Sequence, residues 1–167
     1  MLEVFFENFF KKEKEGELKF IQNCPLFSDL TNKEMSFLRS LLHHRIYADG
    51  EIVFKPSSGT GMYIILKGRV NILQGQPNSQ EESSLISALK EGHFFGELSL
   101  VHKKAYQSMF AQSAGDSKLL GFFQPDLQLI LENYPKMGIK ILTKISEILS
   151  SRLQKAEQKI LQAHSSK

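Results

Sequence analysis

The stretch HFFGELSL, residues 93–100, decides how the rest of the chain is interpreted. Two phenylalanines lead into a glycine, and a one-turn helical pattern then starts with a carboxylate. A helix that opens at Gly96 leaves its first backbone N–H groups without intrahelical partners, beside the positive end of the helix dipole. Glycine also lets the backbone approach a ligand closely. The stretch therefore predicts an anion-binding turn, in which the amides of Leu98 and Ser99 face a phosphate and Glu97 accepts a hydrogen bond from a sugar hydroxyl.

Length and composition are those of an ordinary soluble chain with one core. The chain has 167 residues, of which 41% are apolar and 23% charged, enough for one domain with extra helices. Its net charge of +3 is too small to predict nucleic acid as a partner. The single cysteine, Cys24, excludes an internal disulfide and a cysteine-ligated iron–sulfur cluster within one chain. No apolar run reaches the ~20 residues of a membrane span, so we predict a cytoplasmic protein.

Short β-branched and aromatic runs, separated by glycine, serine, proline or asparagine, make up the middle of the chain. Such runs predict strands, and their number favours an antiparallel β-roll or jelly roll. The predicted strands cover residues 45–48, 52–54, 62–66, 69–74, 85–89, 107–112 and 117–123. Because the helix at Gly96 interrupts these strands, we expect it at the mouth of the roll.

Helical patterns precede the strands. An apolar face recurs at helical spacing near the N-terminus and predicts an amphipathic helix; it consists of Leu2, Phe5, Phe6 and Phe9. This face packs on the domain or on a second subunit, or alternatively docks on a membrane surface or a partner. Thr31 and Glu34 then form a capping-box pattern that predicts a helix through about Leu42. We interpret His43 and His44, which follow, as solvated helix-end residues, because adjacent side chains diverge too far to share a metal.

Two further helices are predicted after the strands. Pro125 suits the first turn of a short helix through about Asn133, and Pro135 suits the start of a longer one that ends near Ala163. Apolar residues recur every three or four positions in the longer helix, at Leu142, Ile145, Leu149, Leu153, Ala156, Ile160 and Ala163. This stripe favours a two-stranded coiled coil, with packing on its own domain as the alternative. We therefore divide the chain into an N-terminal helix (1–23), a β-roll (24–134) and a C-terminal dimer helix (135–167).

Three motifs follow one another at characteristic distances: GEIVF at 50–54, GTGMYIILKGRV at 59–70 and FGEL at 95–98. Together they resemble the cyclic nucleotide-binding domain family, which includes Crp/Fnr-type bacterial regulators, kinase regulatory subunits and gated channels. The resemblance runs from about Cys24 to about Lys155. It implies an α+β fold, in which an antiparallel β-roll carries N-terminal helices and a long C-terminal helix. In Crp-type regulators the matching helix forms the dimer and also closes over the nucleotide.

The resemblance also implies a ligand site, a phosphate-binding cassette that runs from the Gly96 helix into a loop. In the family a glutamate takes the ribose hydroxyl, and an arginine followed by small residues pairs with the phosphate. Glu97 matches the glutamate, but Tyr106 stands where the arginine is expected. Lys103 and Lys104 are candidates for part of the missing charge, although an ammonium lacks the planar fork of a guanidinium. The candidate ligand-binding residues are Gly96, Glu97, Leu98, Ser99, Lys104, Tyr106, Gln107 and Ser108.

These observations lead to two hypotheses about function. In the first, a small anion, with cyclic AMP and cyclic GMP as the candidate ligands, binds at Gly96 and shifts the C-terminal helix of a homodimeric sensor. In the second, a degenerate domain without nucleotide binding acts as a dimeric interaction or scaffold module for an unknown protein partner. We predict no enzymatic activity and no metal site, since no catalytic or metal-binding motif stands out. Residues 162–167 are too few for a helix-turn-helix, so DNA binding by that route is not expected of the chain as given.

Overall fold

The computed structural model of the chain describes residues 16–55, 61–77, 83–102 and 108–165. The described part begins with helical residues 16–23, called α1, followed by a 3₁₀ turn at Pro25–Phe27 and helix α2 at Asn32–Leu41. The predicted capping box is present at the start of α2: Thr31 Oγ1 accepts from the Glu34 N–H, and Glu34 Oε2 accepts from the Thr31 N–H. The predicted apolar face of Leu2, Phe5, Phe6 and Phe9 lies outside the described residues.

The strands of the described residues form two four-stranded antiparallel sheets. They are β1 His43–Tyr47, β2 Ile52–Phe54, β3 Gly61–Lys67, β4 Arg69–Gln74, β5 Ser84–Lys90, β6 Phe94–Phe95, β7 Met109–Ser113 and β8 Ser117–Phe123. One sheet has the order β1-β8-β3-β6 and the other β2-β7-β4-β5. Together with the helices they confirm the predicted α+β fold with an antiparallel roll.

Apolar packing is divided between two clusters. One lies between the two sheets and includes Val53, Phe54, Tyr63, Ile65, Val70, Phe95, Ala111 and Leu119. The other lies under the helices and includes Ile21, Cys24, Phe27, Leu38, Leu100, Phe122, Ile130, Met137, Ile141 and Ile145. Because Leu100 is the last residue of the 93–100 stretch and Ile141 belongs to the last helix, the second cluster joins these two parts of the molecule.

The strands differ from the sequence-based expectation at β6 and at the start of β1. Strand β6 was not predicted, because two residues are too short for a period-two pattern to be recognised. The interpretation of His43 and His44 as helix-end residues is wrong, although both are exposed. They are the first two residues of β1. Because His43 pairs with Gly121 of β8, its backbone is extended and not helical.

The chain ends in helix α3, Gln124–Asn133, and the long helix α4, Pro135–Ser165. The first half of α4 buries Met137, Ile141 and Ile145 against α3 and the Pro25–Phe27 turn. From residue 150 to residue 163 every α4 residue is exposed. Among the helices of the described residues, none combines the length and the apolar character that crossing a membrane requires.

Candidate functional site

Gly96 has a backbone conformation that residues other than glycine rarely adopt. Strand β6 leads into it, held to β3 by the pairing of Phe95 with Tyr63. At Gly96 the chain turns with φ of +86°, in the left-handed region. A β carbon at this position would also lie 2.7 Å from the carbonyl oxygen of Gly61. Both the torsion and the close backbone approach therefore require glycine here.

The predicted helix after Gly96 is present as a single 3₁₀ turn, Glu97–Leu100. We call Gly96 and these four residues the Gly96 turn. Within it the Ser99 N–H donates to the Gly96 carbonyl over 2.9 Å, and the Val101 N–H donates to the Leu98 carbonyl over 3.2 Å. The Ser99 amide, which we expected to face a phosphate, therefore donates inside the turn in this conformation.

Glu97 is the buried charged residue of the Gly96 turn. Its relative exposure is 0%, which is unusual for a carboxylate unless a cation meets it. Oε1 accepts a hydrogen bond from Nη1 of Arg152, a residue of α4. Oε2 is also buried, and no donor among the described residues reaches it. The site therefore contains one carboxylate oxygen paired with α4 and one that still lacks a hydrogen bond.

Cys24 belongs to the same environment. It is 2% exposed, just before the Pro25–Phe27 turn. Burial, with a smaller effect of the negative charge on Glu97, raises the pKa of the Cys24 thiol to about 12. The thiol is therefore protonated at neutral pH and packs as a small apolar side chain.

Aromatic rings hold β6 in place on the interior side of the roll. Phe95 stacks on Tyr63, with ring centroids 5.5 Å apart and an interplanar angle of 21°. Tyr63 in turn meets the edge of Phe123 at 5.8 Å. Burial raises the pKa of Tyr63, so its hydroxyl remains protonated near neutral pH. These contacts fix the position of the residue that immediately precedes Gly96.

The remaining predicted site residues are only partly described. Lys104, Tyr106 and Gln107 lie outside the described residues. Ser108 is exposed, and its carbonyl accepts from the N–H of Gly75 over 2.8 Å, at the end of β4. Leu98 is half-buried in the Gly96 turn. The assignment of these residues to a ligand site remains a prediction.

Arg152 is the site residue that sequence reasoning missed. It lies 55 positions after Glu97 and occupies a polar position of the C-terminal helix. One signal was available: a glutamate expected in an enclosed site requires a cation, and the nearest candidates in the sequence were lysines rather than arginine. Choosing Arg152 among the cations of the last helix required the position of that helix, which the pattern alone does not specify.

Comparison with known proteins agrees with the motifs. The family model described as "Cyclic nucleotide-binding domain" matches residues 44–134, more than half of the chain. A candidate potassium channel protein of Rhodopseudomonas palustris is 31% identical over 133 residues, covering 79% of this chain and 30% of that protein. The cAMP-dependent protein kinase type II regulatory subunit of Drosophila melanogaster is 27% identical over 161 residues, covering 89% and 42%. The chain thus spans less than half the length of these relatives.

A solved structure extends the comparison to three dimensions. The crystal structure of a cyclic nucleotide-binding domain from Methylobacillus flagellatus is similar to this chain with a TM-score of 0.71 and 23% identity, covering 90% of this chain and 85% of that one. At this identity the similarity concerns the fold. With the family model matching the roll itself, this chain belongs to the cyclic nucleotide-binding domain family.

Proposed function

We propose that this chain is a non-enzymatic, cytoplasmic regulatory module that binds a small hydroxyl-bearing anion at the Gly96 turn. A cyclic nucleotide, cyclic AMP or cyclic GMP, is the first candidate, since the family is described as cyclic nucleotide-binding and the kinase relative as cAMP-dependent. The observation that carries the proposal is the ion pair between Glu97 of the turn and Arg152 of α4. It joins the place where the ligand would bind to the helix that would transmit the signal.

Glu97 has a buried oxygen that a ligand could satisfy. A carboxylate oxygen that is buried without a hydrogen bond destabilises the protein by about 1–3 kcal/mol or more, and Oε2 of Glu97 is such an atom among the described residues. A sugar hydroxyl is a donor that would satisfy it. The turn itself adds backbone N–H groups at the positive end of a short helix. The arrangement suits a ligand that combines a hydroxyl with a negative charge.

Helix α4 packs against the Gly96 turn and could therefore respond to a ligand bound there. Leu100 of the Gly96 turn and Ile141 and Ile145 of α4 belong to one apolar cluster. A ligand that shifts the turn therefore changes the packing and the ion pair that hold α4. A sensor requires two states with different affinity for the ligand, and the position of α4 is the element that would differ between them.

The rest of the proposed site is the segment that contains Lys104, Tyr106, Gln107 and Ser108. Tyr106 occupies the position at which the family resemblance implies an arginine. Loss of one partner from a desolvated charge pair weakens binding by about 2–5 kcal/mol, or roughly thirtyfold to several-thousandfold. Ligand binding by this chain therefore requires a cation at a position other than 106, and Lys104 is the candidate within this segment.

We also propose that the outer half of α4 forms a homodimer. Leu153 is 61% exposed in this single chain although it belongs to the apolar stripe predicted for a coiled coil. A second copy of the same helix would cover this stripe over residues 150–163, all of which are exposed. Sedimentation measurements of wild type and Leu153→Glu test the dimer, since a charge in the seam should produce monomers.

A direct binding measurement tests the ligand. Thermal unfolding and calorimetric titration with cyclic AMP and cyclic GMP should show a stabilising ligand in the wild type. Glu97→Ala should weaken its binding by at least about thirtyfold, while the matched variant Glu132→Ala, in an exposed part of α3, should leave binding unchanged. If neither nucleotide binds the wild type, the ligand proposal is wrong.

The second candidate is a dimeric interaction module in which the pocket has lost its nucleotide. The observation that favours it is again the Glu97–Arg152 pair, because a carboxylate held by the protein's own arginine is already occupied at one oxygen. In that case Glu97→Ala alters stability and dimerisation, and no cyclic nucleotide changes the melting temperature.

A further inference from the structure

The guanidinium of Arg152 lies at the edge of the Gly96 turn. Arg152 belongs to the part of α4, residues 150–163, that is exposed, yet its Nη1 donates a hydrogen bond to the fully buried Glu97. Half of the Arg152 side chain, 50%, is exposed. A guanidinium has five N–H donors in a planar fork, and the contact with Glu97 Oε1 employs one of its nitrogens. Within the described part of the chain no other hydrogen bond of this guanidinium is seen, so its remaining donors can serve a second acceptor.

Beside this cation lies a buried atom that needs a donor. Glu97 Oε2 has no hydrogen-bond donor among the described residues, although Oε1 of the same carboxylate is paired. The site thus places two groups next to each other: a buried acceptor without a donor among the described residues and, at the rim, a cation that has further N–H groups beyond the one paired with Glu97. A ligand with a hydroxyl and a phosphate close together on one sugar would satisfy both at once.

We propose that Arg152 is a ligand-binding residue, which from α4 supplies the cation for the phosphate of a sugar phosphate ester while the ligand's hydroxyl donates to Glu97 Oε2. The inference rests on the proposed function and names the residue that would make it possible. It also gives a physical reason why Tyr106 is compatible with binding: the charge comes from another part of the chain. Glu97 would orient the guanidinium through Oε1 and hold the ligand through Oε2.

The chemistry of arginine fits this double role better than that of lysine would. A guanidinium presents separate edges, so that one can face a carboxylate and another a phosphate, whereas an ammonium is a compact point charge. With the phosphate bound, Arg152 lies between two negative groups, the phosphate and the Glu97 carboxylate. The ligand should therefore be an anion, and a neutral nucleoside should gain little from Arg152.

A ligand that contacts Arg152 also contacts α4 directly. Binding would fix the outer half of α4 relative to the Gly96 turn. By reciprocity, a partner that holds α4 in that position would raise the affinity for the ligand by the same factor as the ligand raises the affinity for the partner. A different role of Arg152 would have the opposite effect on ligand affinity. If Arg152 competed with the ligand for Glu97, removing it would make the ligand bind more tightly.

The test compares a charged and a neutral ligand on the full chain. Dissociation constants of cyclic AMP, and of adenosine, which has ribose hydroxyls and no phosphate, are measured for wild type, Arg152→Ala, Arg152→Lys and the control Lys155→Ala. We expect Arg152→Ala to weaken the binding of cyclic AMP by at least about thirtyfold and the binding of adenosine by less than about threefold. Arg152→Lys keeps a positive charge near Glu97 and serves as the second variant if Arg152→Ala fails to fold. Its affinity for cyclic AMP should lie between those of wild type and Arg152→Ala, and Lys155→Ala should match wild type.

The outcomes separate this inference from the function on which it rests. Wild type that binds neither cyclic AMP nor cyclic GMP overturns the proposed function and this assignment with it. Wild type that binds, with Arg152 variants that bind equally well or more tightly, overturns the role of Arg152 alone. An equal loss for cyclic AMP and adenosine also overturns it, because Arg152 would then act by positioning Glu97 and not through the phosphate.

Discussion

The two halves of α4 have the same apolar periodicity but different surroundings. In the first half Met137, Ile141 and Ile145 are 0–2% exposed, packed on α3 and the Pro25–Phe27 turn. In the second half Leu153 is 61% exposed. The stripe identifies which face of the helix is apolar, but only the fold shows where the domain stops covering it.

Arg152 is where the exposed half still contacts the domain. Its neighbours from residue 150 to 163 are exposed, while its guanidinium reaches a carboxylate with 0% exposure. The comparison therefore separates two kinds of attachment: apolar burial along the first half, and in the second the charged contact of Arg152 with the Gly96 turn. The first sets stability, whereas the second is the contact that the proposed ligand would change.

The largest expected effect comes from shortening a side chain in the buried half. Ile141→Ala removes buried methyl groups and leaves a cavity, which should lower the free energy of unfolding by about 2–5 kcal/mol. The matched change in the exposed half, Leu153→Ala, should alter it by less than about 0.5 kcal/mol. Urea denaturation at low protein concentration compares the two. Comparable losses would mean that the second half is buried in an assembly even under these conditions.

Arg152→Ala should have the next largest effect on the stability of the unliganded protein. Glu97 would be left buried without its cation, and an unsatisfied buried acceptor lowers the free energy of unfolding by about 1–3 kcal/mol. Lys155→Ala, three residues further along the exposed half, serves as the control and should have no effect. Should both variants unfold at the wild-type urea concentration, the charged contact of Arg152 contributes nothing and the distinction between the two attachments fails.

A smaller, pH-dependent effect is expected where the buried half is tied to α2. Lys140 Nζ donates to Glu34 Oε2 over 2.7 Å, and this hydrogen bond lowers the pKa of Glu34. A carboxyl group whose pKa is lowered in the folded state stabilises the fold at pH values above its ordinary pKa. This contribution disappears as the pH falls through the lowered pKa.

Glu34→Gln, which keeps an acceptor for the capping box, isolates this charge. The variant should be less stable than wild type by less than about 1 kcal/mol near neutral pH, because both side chains are partly exposed. The difference should vanish in acid, below the lowered pKa of Glu34. Urea melts as a function of pH measure it, and a difference that is constant with pH would contradict an electrostatic origin.

The smallest effect is expected at Lys144, on the solvent side of the buried half. Its ammonium lies 2.9 Å from Glu147 and 3.3 Å from Asp29, whose side chains are 57% and 50% exposed. Contacts with these carboxylates raise the pKa of Lys144, so any contribution exists below its ordinary pKa and is lost as the pH rises through the raised value. Lys144→Gln should leave the urea midpoint unchanged at physiological salt. A loss like that of Glu34→Gln would show that exposed pairs also attach α4.

Much of the fold could be predicted because it follows from local patterns. The strands Ile52–Phe54 and Arg69–Gln74 have the predicted bounds, and α2 begins at its capping box. Strand β6 and the place of His43 in β1 could not be predicted, since both result from pairing with strands far away in the sequence. Local signals decide elements that are long or capped, and tertiary pairing decides the short ones.

The sequence by itself determined that the middle of the chain forms a roll, that Gly96 interrupts it, and that a carboxylate follows. These features depend on the spacing of residues and on a backbone torsion that only glycine adopts readily. Only the tertiary structure decided that Glu97 is buried and that Arg152, 55 residues away, is its partner. That contact depends on how α4 packs over the domain, because a helical pattern specifies which face is polar and not which buried charge that face will meet.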